Sequence, residues 1–127
     1  MKKLLLALLL SFAFFLHAED KDSVCQELLI LETELNKTLP KKIDEITEAI
    51  QISVYCETTT VKYTKRLLVE TTSLVEGWKN LKQRQHTQLH CNRDGLSSVQ
   101  GWTAMDVFYD PNYDYIATFI TEPKDCI

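Results

Sequence analysis

The chain has 127 residues, with 14 Lys and Arg against 18 Asp and Glu, a formal charge of −4 and 45% apolar residues. That length suits one domain, and the acidic balance argues against nucleic acid and anionic lipid as partners, since both call for clustered Lys and Arg. Four cysteines without a Cys-x-x-Cys pair give little support to a redox oxidoreductase or a zinc ribbon.

The N-terminus reads as an export leader. Met1-Lys2-Lys3 is basic, residues 4–16 are apolar apart from Ser11, and Ala18 supplies a small residue before Glu19-Asp20. The run is shorter than the ~20 residues needed to span a bilayer. The expectation is a signal peptide at 1–18 and a single domain at 19–127, periplasmic or secreted, with no integral membrane segment after cleavage. Loss of Lys2 and Lys3 deepens the acidic excess. In an exported chain, the even set Cys25, Cys56, Cys91 and Cys126 reads as two disulfides. Three pairings are open and the spacing does not choose among them; one bond with two free thiols is the alternative.

Ser23 with Gln26 three residues on fits a capping box for a helix starting near Val24. Leu28, Leu31 and Leu35 recur at helical spacing, with Glu27, Glu32, Glu34 and Lys37 on the other face, over about fifteen residues. Leu39-Pro40 ends the helix. Asn36-Lys37-Thr38 is a glycosylation sequon, relevant only in a host that glycosylates. Ile43, Ile46 and Ile50 fit a helix, but Ile50, Ile52, Val54 and Cys56 alternate with Gln51, Ser53 and Tyr55. Residues 58–64 are rich in β-branched and aromatic side chains. These features predict a β-hairpin, with strands at 46–54 and 59–67 around a turn at 55–58. The competing reading is one helix over 41–90, which sets Cys25 and Cys56 at similar distances from Pro40 across a helical hairpin.

Thr71-Thr72-Ser73, with Glu76 beyond, can cap a helix over 73–90. Its apolar stripe is Leu74, Val75, Trp78, Leu81 and Leu89, with Lys79, Lys82, Gln83 and Arg84 facing away. Gly77 weakens this helix or lets the sheet approach closely. Asn92–Gly95 reads as a turn. Trp102–Tyr109, Asp110–Asp114 and Tyr115–Thr121 then read as strand, turn, strand. The order is helix, hairpin, helix, hairpin (αββαββ): an α+β fold with a four-stranded antiparallel sheet and two helices on one face.

Leu39-Pro40-Lys-Lys-Ile43-Asp44-Glu-Ile-Thr47, the segment ending Val61-Lys-Tyr63-Thr64, the helix leading to Cys91, and the terminal Ile120-Thr-Glu-Pro-Lys-Asp125-Cys126 together resemble small exported bacterial proteins without an assigned activity. The resemblance covers residues 36–126. It implies a compact αββαββ domain, broadly cystatin-like in organisation, with Cys91 paired to Cys126, and it brings no catalytic residues. Cys25 and Cys56 are an addition to that pattern; their pairing fits the hairpin reading, in which the first strand returns past the first helix.

Several residues merit weighing for chemistry. His86 and His90, four apart on a helix, have the spacing of a two-histidine metal clip, with Asp94 or Glu19 as a possible oxygen donor. Their face reads as polar and solvated, and incidental surface histidines are the preferred account. Cys91 beside His90 suggests a thiol nucleophile, but adjacent helical residues point apart and a disulfide accounts for the cysteine. Ser97 and Ser98 lack a nucleophile-elbow context. Asp106, Asp110 and Asp114 lie in or beside a turn whose spacing does not match a calcium loop. Lys62, Lys65 and Arg66 read as a solvated strand face. Trp102, Tyr109, Tyr113 and Tyr115 are candidate partner contacts, weighed against cross-strand packing. The resulting expectation is an exported, non-enzymatic binding or accessory module of the bacterial envelope, without a cofactor, that contacts a protein partner. The alternatives are a small-ligand or metal carrier and an inhibitor of a hydrolase.

Overall fold

Alternation prevails over helical spacing across residues 46–67. The computed structural model describes residues 21–127; the expected leader at 1–18 and Glu19 lie outside the described residues. The elements are α1 (Lys21–Asn36), β1 (Lys41–Asp44), β2 (Thr47–Tyr55), β3 (Thr60–Leu67), α2 (Trp78–His90), α3 (Leu96–Gln100), β4 (Thr103–Tyr109) and β5 (Tyr115–Thr121). Short 3-10 turns stand at Thr71–Ser73 and Pro123–Cys126. The hairpin reading of this region holds, and the long helix over 41–90 is excluded.

The sheet is not the expected four-stranded antiparallel one. It has five strands in the order β1-β2-β3-β4-β5, and β3 and β4 run parallel. Both differences have local causes. Asp44 Oδ1 accepts from Ile46 N at 2.9 Å, a side-chain turn that folds Lys41–Asp44 back onto β2 as an additional hairpin strand. The segment carrying α2 then runs back from the end of β3 to the start of β4, setting Thr60 beside Thr103 and Arg66 beside Tyr109. A crossover of that kind makes its flanking strands parallel.

Helix limits also differ. α1 already runs at Lys21, so Ser23 lies within its first turn rather than before it. Gly77, at φ +78°, ends the preceding turn in the left-handed region, and α2 starts only at Trp78. Gly95 is needed for another reason: a Cβ there would meet the His90 carbonyl oxygen at 2.2 Å.

Apolar side chains form two clusters between helices and sheet. Val24, Cys25 and Leu28 of α1 pack with Val61 and Trp102. Trp78 of α2 packs with Leu67, Phe108, Ala117 and Phe119, its ring meeting both phenylalanines edge-on. α1 also completes β2 beyond the end of β1. Asn36 donates Nδ2 to Ile52 O and accepts from Ile52 N, both at 2.9 Å, and Glu32 Oε2 accepts from Val54 N at 2.5 Å. The sequon asparagine is therefore committed to the sheet, and a glycan on its nitrogen would break that pairing.

Cys25 is bonded to Cys56 and Cys91 to Cys126, and no free cysteine remains among the described residues. The first bond ties α1 to the tip of the β2–β3 hairpin; the second ties the end of α2 to the turn after β5. Each closes a long loop, with sequence separations of 31 and 35. Replacing Cys91 and Cys126 together by Ser should lower the unfolding free energy by about 3–4 kcal/mol, on loop-entropy grounds. Urea titration checks this, and an unchanged midpoint would show that packing of the 3-10 turn at Pro123–Cys126 alone holds the C-terminus.

Candidate functional site

Strand parity carries charge into the interior. Along β4 the buried positions are Ala104, Asp106 and Phe108. Asp106 therefore sits in mid-strand on the helix-covered face, not beside the turn as expected. On β3, Lys65 occupies the same face, beside Phe108 in the parallel register. Its Nζ lies 2.6 Å from Asp106 Oδ2, and the side chains of the two are 22% and 10% exposed. The expected basic strand face thus divides. Lys65 points in, whereas Arg66 pairs with Glu48 at 3.0 Å and donates to Pro111 O, and Lys62 lies over Tyr55.

The helix above is turned differently from its leucine stripe. Trp78, His86 and His90 are its buried residues, whereas Leu81 and Leu89 are 37% and 45% exposed. Lys82, expected to face away, lies over the Phe108 ring at 6.0 Å. The histidine face is thus the packed face, correcting the solvated reading. It meets polar inward residues. His86 Nδ1 lies 2.7 Å from Thr121 Oγ1, and Nε2 lies 3.3 Å from Asp106 Oδ1 but outside hydrogen-bond alignment. Thr121 O in turn accepts from Ser97 of α3 at 3.1 Å. The His90 ring is 4.6 Å from that of His86 and stacks on Tyr63 at 6.3 Å.

Electrostatics follow from burial. Burial alone would raise the Asp106 pKa, but Lys65 beside it and the His86 ring outweigh that and hold the carboxyl at about 2. Burial, then the neighbouring His86, lower His90 to about 4, with Asp106 pulling the other way. Burial and the Asp106 charge push the Tyr63 hydroxyl well above its usual range. Asp106, His86 and Thr121 are lined up in the order of a nucleophilic triad. Thr121 is 0% exposed, so its hydroxyl offers a substrate no approach and serves to orient the ring.

One donor atom from each of His86, His90 and Asp106 lies within 4.8 Å of the others, so among the described residues this group could hold a metal ion. The sequence pairs the histidines but looks for their carboxylate in Asp94 or Glu19. The signal for Asp106 is its parity with Ala104 and Phe108 in a strand of apolar alternation. Cys91 is committed to its disulfide, which removes the thiol reading. Asp110 accepts through Oδ1 from Asn112 N and Asp114 N at 2.8 and 2.9 Å and builds the hairpin turn.

The aromatic candidates separate. Trp102 is 1% exposed and belongs to the α1 cluster, so it cannot meet a partner. Tyr113 and Tyr115 are 59% and 62% exposed at the hairpin tip. Tyr115 meets Tyr109 edge-on, and Arg66 lies over the Tyr113 ring at 5.0 Å. Beside this tip, a shallow open depression runs from Leu74 to Asn80 and along Asp110, Tyr115 and Ile116. Among the described residues no helix is long and apolar enough to cross a membrane.

The architecture is α+β, with two disulfides. No protein-family model matches the sequence, and no curated protein matches it either. Among solved structures, the chain is similar to one from Pseudomonas aeruginosa described as a "putative secreted protein (PA3611)", at a TM-score of 0.67 and 15% identity. The match covers 87% of this chain and 99% of that one, which makes it a likeness of fold.

The lowered pKa values of His90 and Asp106 have a testable sign. Unfolded, His90 takes a proton near 6.5, but folded only near 4. Stability should therefore be full above 6.5 and fall as the pH drops toward 4, by about 3 kcal/mol. Asp106 adds a further loss in the same direction between its ordinary 3.8 and about 2. Urea midpoints of chelator-treated protein through the first window check this; His90→Gln should flatten that window and leave the second.

Proposed function

We propose that the protein is an exported, non-enzymatic binding module, periplasmic or secreted, which contacts a protein partner through the tip of the β4–β5 hairpin and the adjoining depression. The carrying observation is the group of exposed apolar side chains there: Tyr113, Tyr115 and, across the depression, Val75 at 66% exposure. Tyrosines that present a large ring at low entropic cost are frequent anchors in protein interfaces. A depression bordered by such rings can receive an apolar side chain of the partner. The leader-like N-terminus and two disulfides support an oxidising compartment outside the cytoplasm. The acidic balance supports a partner other than nucleic acid.

A photo-crosslinking residue at position 115, compared with one at exposed Lys37 in the turn after α1, tests this in cells. Position 115 should yield a discrete heavier species that position 37 does not, and Val75→Asp should abolish it. Equal labelling from both positions, or an adduct indifferent to Val75→Asp, would remove the hairpin tip from consideration.

A further inference from the structure

His86 has a buried ring nitrogen that makes no well-aligned hydrogen bond, with Asp106 Oδ1 standing 3.3 Å from it. Thr121 Oγ1 lies 2.7 Å from Nδ1 and sets the plane of the ring, while Nε2 is enclosed and directed toward Asp106. Buried polar atoms are satisfied in the great majority of cases, and an unsatisfied one calls for an explanation. A second imidazole stands beside it: the ring of His90, one turn further along α2, is 4.6 Å from that of His86. The carboxylate completes the group, held in place through its other oxygen by Lys65.

We propose that His86, His90 and Asp106 form a binding site for a divalent transition-metal ion of the zinc class, enclosed between α2 and β4, with Lys65 setting its affinity. Two imidazoles and one carboxylate favour zinc-like ions over magnesium and calcium, which prefer all-oxygen sets. Thr121 on His86 is an outer partner of the kind that orients ligands in such sites. Zinc bonds of about 2.0–2.2 Å place neighbouring donors roughly 3.4 Å apart. His86 Nε2 and Asp106 Oδ1 already stand at 3.3 Å. The remaining separations, within 4.8 Å, can close by rotation of the His90 ring. Lys65 opposes the ion through its charge while keeping the carboxylate anionic, so its removal strengthens binding. This inference is independent of the hairpin tip.

Calorimetric titration of the chelator-stripped exported protein with Zn²⁺ tests it, with Mg²⁺ as the comparison. One Zn²⁺ per chain and no Mg²⁺ heat are expected. His90→Gln should weaken Zn²⁺ binding by at least about tenfold. Lys65→Met should tighten it by about tenfold, as expected when a neighbouring cation is removed from a partly buried site. Asp94→Asn should leave it unchanged. Co²⁺ in place of Zn²⁺ should give ligand-field bands that His90→Gln alters. Circular dichroism identifies variants that retain the fold; if His86→Gln does not, His90→Gln and Lys65→Met decide the question. Absence of Zn²⁺ binding overturns the proposal, as does Zn²⁺ binding that survives both His90→Gln and Asp106→Asn.

Discussion

A carboxylate in the middle of a buried strand face is the constraint on which much of this structure depends. An isolated buried carboxylate would cost several kcal/mol, and proteins offset that with a close opposite charge and directed dipoles. Here Lys65 supplies the charge, at 2.6 Å from Asp106 Oδ2. The parallel register makes this possible, because Lys65 of β3 faces the same side as Asp106 of β4. The His86 ring stands on the other oxygen. Slipping β3 by one residue would send Lys65 to the outer face and leave Asp106 without its counter-charge. The pair therefore specifies register as well as tolerating burial.

The same carboxylate sets the rotation of α2. A helix carrying both leucines and histidines can present either face to a sheet. Against an apolar sheet, the stripe with Leu81 and Leu89 would win by the area it removes from water. Against a sheet displaying Asp106 and Thr121, the histidine face gains polar partners, while Trp78 still fills the apolar end among Phe108 and Phe119. The interior is accordingly layered. An apolar cluster lies under α1, another lies under the start of α2, and the polar group sits near the latter's end. The Cys91–Cys126 bond lies next to that polar group, at the residue after His90. It limits how far the end of α2 can lift away from the sheet.

Much of this was legible in the residues. Alternation from Ile50 to Cys56, the Leu39-Pro40 break and the Asp110–Asp114 turn placed α1, two hairpins and α2 in the right order. β1 was not legible, because Lys41–Asp44 is too short to show a period and Ile43 also matches helical spacing. The parallel pair was missed for a different reason: local hairpins are visible in sequence, whereas the relation between two hairpins is decided by the crossover joining them. For the site, histidine spacing was visible and its burial was not. Hydrophobic periodicity ranks leucine above histidine and takes no account of what the opposing strands display. Trp102 resolves in favour of packing, the other reading open to it, since an aromatic at a strand start serves equally as an anchor or as core.

The two edges of the sheet bear on how the proposed partner could be held. An open strand edge invites another chain to add a strand, and proteins limit this by occupying the backbone groups there. On β2, beyond the end of β1, Asn36 takes both backbone groups of Ile52 and Glu32 takes the Val54 amide. On β5, Gln83 of α2 donates to Ile120 O at 3.0 Å. Helix side chains thus occupy positions at which an added strand would have to bond. Recognition through side chains at the hairpin tip requires no such displacement. Tyr113 lies in the turn beyond the paired strands and Tyr115 is the last paired residue of β5 at the tip, and Arg66, itself paired with Glu48, lies over the Tyr113 ring. A contact made there is removed along β5 from the histidine group, which meets Thr121 at the other end of that strand. The histidine group and the exposed rings thus stand at opposite ends of β5.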